Sequence, residues 1–191
     1  MANDKEPDEG GHLSKDEADR GCCTNGYFDD CCRPVFAEFV GSLIYIFVAG
    51  MTVQSADVSI ISTGQGMAIL MLAITFTPVS GGHFNPALTL AALISGQISP
   101  VKSFFYVISQ LVGSVAAAGI VKGLSDKTSY DIHSGGAPMV TGSTSLIEAL
   151  TLEGILGFVL VLAYLLGQFD EDRPMAPVAH GLIYLIGLSI S

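Results

Sequence analysis

Along this chain the apolar residues gather into long blocks, at residues 34–53, 58–79, 100–121, 145–168 and 175–191. Each is close to the roughly 20 residues that carry an α-helix across a hydrocarbon layer about 30 Å thick. The last block is the shortest. The pattern predicts an all-α membrane protein with five transmembrane helices. Helices buried inside a large soluble protein are the alternative, but no other part of the chain is large enough to cover these blocks.

Between the second and third blocks lies a stretch too apolar for a solvated loop and too short to cross. Residues 76–84 hold Pro78, Gly81 and Gly82 and are expected to break the helix. Asn85 then suits an N-cap, and Pro86 suits the first helical position, where a missing N–H costs nothing. Leu88, Leu90, Ala91, Ala92, Leu93 and Ile94 continue as a half-helix up to Gly96. At membrane depth a re-entrant segment is tolerated only where it is buried in protein or lines a cavity. Asn85, Pro86 and Ala87 therefore read as the start of a half-helix that is buried in protein or lines a cavity within the membrane.

Composition agrees with this picture. Half of the 191 residues are hydrophobic and 14% are charged, against about a quarter charged in an average soluble domain. The net charge of −10 is concentrated, with half of the acidic residues in the first 32 positions. Residues 1–33 are expected to form an acidic, disordered, cytosolic tail, and residues 34–191 the membrane domain. The tail lacks the apolar core of a secretory signal, so the first block is read as a retained helix. Its acidity disfavours nucleic acid as a partner.

Basic residues give an orientation. Lys5, Lys15, Arg20, Arg33, Lys102 and Arg173 fall on one side of alternating spans, and Lys122 and Lys127 on the other. The positive-inside rule then puts the N-terminus in the cytosol, at the plasma membrane or an intracellular membrane. The four cysteines form two juxtamembrane pairs, Cys22-Cys23 and Cys31-Cys32. In a cytosolic tail disulfides are not expected, and adjacent cysteines lack zinc spacing. Reversible palmitoylation and unmodified thiols are the readings left open. No cofactor is expected, and no nucleophile–base pair, phosphate loop or metal spacing points to an enzyme.

A faint internal repeat runs through the apolar blocks. Glu38 and Glu153 each sit within a block, 115 residues apart, and the run Gln65-Gly66-Met67-Ala68-Ile69-Leu70 resembles His180-Gly181-Leu182-Ile183-Tyr184-Leu185 at the same offset. An odd number of spans between the copies makes them inverted, a common way to build a pathway at the midplane. The counterpart of Asn85 would fall at position 200, nine residues beyond Ser191. The expectation is an incomplete inverted repeat.

Taken together, Ser80-Gly81-Gly82-His83-Phe84-Asn85-Pro86-Ala87, Ala37-Glu38, Ser109-Gln110-Leu111-Val112-Gly113 and Ala176-Pro177-Val178-Ala179 resemble the aquaporin (major intrinsic protein) family from about residue 34 to 191. The Gly82-His83-Phe84 variant resembles the branch of ammonia-permeable aquaporins and plant tonoplast relatives. The resemblance implies an aquaporin-like bundle, here five transmembrane helices plus one re-entrant half-helix, truncated before a second Asn-Pro-Ala motif. It also implies assembly as a homotetramer in the lipid bilayer and passive passage of water or small neutral solutes. A truncated, non-conducting subunit that acts by assembling with full-length aquaporins is the alternative.

Residue roles follow on the same terms. Asn85 can donate its side-chain N–H to a passing water, and the half-helix behind it carries about half a positive charge at that end. Glu38 and Glu153, carboxylates inside apolar spans, should face protein or water. They read either as a proton relay or, by the resemblance, as acceptors that hold the re-entrant loops. Gln65 and Leu188 match constriction positions of the family. His83 and His180 read either as titrating groups near the pathway or as local hydrogen-bonding residues.

Overall fold

The computed structural model describes residues 31–137, 139–140 and 145–168. No strand occurs among the described residues, which form α1 (Arg33–Val53), α2 (Val58–Ser80), α3 (Pro86–Ile94), α4 (Pro100–Leu124), α5 (Lys127–Ile132), a 3₁₀ turn (Ser134–Gly136) and α6 (Leu146–Gln168). Helices α1, α2, α4 and α6 are long and apolar enough to cross a membrane. They correspond to the first four apolar blocks, and the fifth, at 175–191, lies outside the described residues.

Local chemistry sets the helix starts. The Asp57 carboxylate accepts the N–H groups of Ser59 and Ile60 to begin α2, and the Ser99 hydroxyl accepts that of Lys102 to begin α4 behind Pro100. These bonds satisfy donors that a helix start leaves without partners.

The end of α2 falls inside residues 76–84, the stretch expected to break the helix, and α2 runs through Pro78 as far as Ser80. Proline removes one ladder bond and crowds the preceding turn without necessarily ending a helix. The break comes at Gly81, whose φ of 90° is left-handed and whose N–H still reaches the Thr77 carbonyl at 3.0 Å. Glycine takes that conformation at no steric cost.

Helices α2 and α4 both pack against α1. Contacts of Phe39 with Gly113, Gly50 with Val121 and Gln54 with Ser125 advance together along both chains, so α1 and α4 run parallel. Helix α2 returns antiparallel, its Gly64 facing Thr52 near the end of α1. The approach of α1 to α4 demands a glycine. A Cβ on Gly113 would lie 2.5 Å from the Phe39 carbonyl oxygen. Small residues serve membrane helices in this way, because close backbone packing replaces the hydrophobic drive that lipid cannot supply.

Two apolar clusters flank the re-entrant segment. Ile69, Leu72 and Phe84 form one with Tyr45 and Phe76. Leu88, Ala92 and Tyr164 form the other with Ile98, Leu160, Val161 and Leu165, and this cluster seats α6 on α3. Outward faces stay apolar, with Phe36, Phe104, Ile108 and Phe158 exposed, as a surface solvated by lipid requires.

Gly113→Ala is expected to destabilise the bundle by about 1–3 kcal/mol through overpacking, seen as a lower thermal midpoint in detergent. Gly119→Ala, on the same helix with open space around it, is expected to leave the midpoint unchanged or slightly raised.

Candidate functional site

The turn between α2 and α3 is held from α1. Glu38 is fully buried and accepts four hydrogen bonds. Its Oε1 takes the Ser80 hydroxyl at 2.6 Å and the His83 backbone N–H at 3.0 Å. Its Oε2 takes the Phe84 backbone N–H at 2.6 Å and the Gln110 side-chain amide at 2.8 Å. One carboxylate has about four lone-pair sites, and here each has a donor. The Gly82 N–H reaches the Ser80 hydroxyl oxygen at 3.2 Å, so the N–H groups of residues 81–84 all have acceptors.

Carbonyls of the turn are met as well. The Tyr106 hydroxyl donates to the Ser80 carbonyl at 2.8 Å, and the Ser42 hydroxyl approaches the Phe84 carbonyl at 3.4 Å. Phe84 has φ of 47°, unusual for a residue with a side chain, and such a conformation costs of order 1–3 kcal/mol. The short bond to Glu38 and the packing of its ring against Phe76, at 5.8 Å between centroids, hold it there. Gly41 makes room for that ring, since a Cβ on it would fall 2.0 Å from the ring edge.

From this anchored turn the half-helix projects. Asn85 is its N-cap, with Oδ1 accepting the Ala87 N–H at 2.9 Å, and Pro86 opens a helix of nine residues. Nine residues rise about 13–14 Å, under half of a hydrocarbon layer. Gly82, His83, Phe84, Leu88 and Thr89 are buried, whereas Asn85 is half-buried and Pro86 and Ala87 are exposed. The holding side of the segment thus faces protein, and its tip does not.

A scaffold of this kind, four apolar spans and a short helix anchored on a buried carboxylate, has known relatives. The sequence profile described as "Major intrinsic protein" matches residues 28–191. The chain belongs to that family. It is 37% identical to aquaporin-5 of Sus scrofa over 167 residues, and 38% identical to aquaporin-5 of Homo sapiens over 164 residues. Each of these alignments covers 83% of this chain and 60% of the relative. Aquaporin-8 of Mus musculus is 31% identical over 175 residues, with 88% of this chain and 67% of the relative covered. This major intrinsic protein chain therefore spans about 60% of the length of the aquaporin-5 relatives. Among solved structures it resembles the aquaglyceroporin from Plasmodium falciparum, with a TM-score of 0.65 at 21% identity, covering 84% of this chain and 72% of that one. That likeness concerns the fold: an all-α, integral membrane bundle.

Of the sequence-derived site residues, the structure brings Glu38, His83 and Asn85 into one neighbourhood. Gln65 is buried on the α2 face that also carries Ile69 and Leu72. Glu153 stands apart, exposed on α6 beside Gly154, around which there is open space. Leu188, His180, Cys22 and Cys23 lie outside the described residues. Cys31 departs from expectation. It is disulfide-bonded, so its sulfur is committed to a covalent bond and is not open to acylation. Cys32 is a free, half-buried thiol.

Sequence reasoning gave no role to Ser80, Thr89, Tyr106, Gln110 or Tyr164. A signal was present for α4: Ser103, Tyr106, Gln110 and Gly113 recur at intervals of three to four residues and mark its buried face. Tyr164, within the apolar run of α6, carried no such signal.

Glu38→Gln is expected to destabilise the protein, because whichever way the amide turns its NH2 group confronts a backbone N–H. Each stranded donor costs about 1–3 kcal/mol. A lower thermal midpoint and faster proteolysis between α2 and α3 are the expected result, and an unchanged midpoint would count against the anchoring role.

Proposed function

We propose that this chain forms the wall of a passive transmembrane pathway for water or small neutral solutes, with Asn85 as the hydrogen-bonding group at its narrow point. The observation that carries the reading is the exposure of Pro86 and Ala87 beside a half-buried Asn85, at the tip of a half-helix whose other side is buried. A helix N-terminus presents partial positive charge, and beside it an amide can bond a water oxygen while cations are disfavoured. Family membership, and the aquaporin names of the relatives, support the same reading.

Gln65 is proposed to line the outer constriction, with Leu188 and His180 further along the pathway. Residues 1–33 are proposed as an acidic cytosolic tail, which follows from the asymmetry of basic residues about the spans. Palmitoylation is proposed for Cys32, whose thiol is free. The working unit is proposed to be a homotetramer in the bilayer, without cofactor or enzymatic activity.

Stopped-flow shrinkage of proteoliposomes containing this chain tests the proposal. Water permeability is expected to exceed that of protein-free vesicles with a lowered activation energy, and Asn85→Leu is expected to reduce it severalfold. Equal permeability with and without protein would overturn the reading, and solute uptake that follows a pH gradient would replace it with coupled transport.

A further inference from the structure

The Thr89 hydroxyl stands where three groups converge. It lies 3.2 Å from the Asn85 carbonyl oxygen, 2.9 Å from the Gln110 side-chain nitrogen and 3.0 Å from His83 Nδ1. Thr89 and Gln110 are at most 1% exposed, and His83 is 4% exposed, so bulk water does not compete for these contacts. The hydroxyl has one hydrogen to give and two lone pairs to receive with.

Only one arrangement makes all three contacts hydrogen bonds. The Gln110 amide nitrogen is a donor, and its other hydrogen is directed at Glu38. The Asn85 carbonyl is an acceptor and cannot change role. Histidine alone can either give or receive at Nδ1. Were the hydroxyl to donate to His83, its oxygen would face the Asn85 carbonyl oxygen at 3.2 Å with no hydrogen between them. Two lone pairs would then oppose each other in a site of low dielectric, where unmatched polar groups cost most. With the hydroxyl donating to the carbonyl, as a helical threonine commonly bonds four residues back, His83 must supply the hydrogen at Nδ1.

From this we infer that Thr89 is a positioning residue for the Asn85 tip, and that it does so by fixing His83 with its proton on Nδ1. The bond from residue 83 to residue 89 closes a clamp around Asn85, Pro86 and Ala87. Gln110 fastens the clamp to α4, and Glu38 fastens it to α1. The His83 ring is set on two further sides by tyrosines, Tyr106 from α4 and Tyr164 from α6, each edge-on at 5.3 Å between centroids. Rotation of the imidazole is blocked, and the direction in which Asn85 leaves the turn is fixed with it. The role rests on the proposed pathway for its consequence, but the proton position does not.

Two measurements on the full chain in lipid nanodiscs and proteoliposomes test it. Histidine side-chain ¹⁵N spectra, with the His83 signals identified by their loss in His83→Gln, are expected to show Nδ1 protonated. In Thr89→Val that proton is expected to move to Nε2 or to distribute over both nitrogens, and water permeability per folded protein is expected to fall severalfold. Thr89→Ser, which keeps the hydroxyl and loses only a methyl group, is expected to restore both properties. A bare Nδ1 in the unmodified protein overturns the inference even if Thr89→Val does not fold. So does a Thr89→Ser protein that behaves like Thr89→Val, since the methyl group and not the hydroxyl would then matter. If the unmodified chain shows protonated Nδ1 and does not conduct, the pathway is refuted and the clamp is retained.

Discussion

Between Gly81 and Asn85 the chain leaves the helical ladder inside a bundle of apolar spans, and the N–H groups released there need acceptors that neither water nor the ladder provides. In a bilayer each unmet group costs several kcal/mol. Glu38 resolves this by accepting two consecutive backbone N–H groups, a serine hydroxyl and a glutamine amide. Much else in the structure serves that carboxylate. Gly113 brings α4 close enough to α1 for Gln110 to reach it, and Gly41 admits the Phe84 ring beside it. Two backbone N–H groups, a hydroxyl and an amide together meet the acceptor capacity of this buried carboxyl group.

The re-entrant segment is consequently divided between two tasks. Its buried side holds position: Phe84 packs into the cluster of Ile69 and Leu72, and Leu88 into that of Ala92 and Tyr164. At its tip Asn85 is half-buried and Pro86 and Ala87 are exposed. Position and exposure are thus set by different residues, which is what a precise polar group on a short helix needs. The strained φ of Phe84 belongs to the same division, because it turns the chain from the anchored stretch into the projecting one.

Sequence patterning made the four described spans and the half-helix legible, because blocks of about 20 apolar residues and an Asn-Pro start are strong local signals. The start of α3 at Pro86 is set by the residues themselves. The break before it was legible as a stretch, 76–84, though not to the residue: α2 absorbs Pro78 and stops at Gly81. Glu38 could be recognised as a carboxylate in need of company, but its partners could not, since Gln110 lies 72 positions away and meets it only through the parallel packing of α1 and α4. Thr89 and Tyr164 were hidden for the same reason. A threonine on a short helix and a tyrosine in an apolar run gain meaning only when α4 and α6 are placed beside His83. The disulfide at Cys31 likewise cannot be read from adjacent cysteines, whose pairing depends on three-dimensional approach.

The re-entrant turn depends on Glu38 accepting the N–H groups of His83 and Phe84, and residue-resolved amide hydrogen exchange in nanodiscs reads those two groups directly. If they are held as described, His83 and Phe84 exchange as slowly as amides within α1 and α4, although neither belongs to a helix. Exchange at the rate of an open loop, with α1 and α4 still protected, would contradict that role of Glu38.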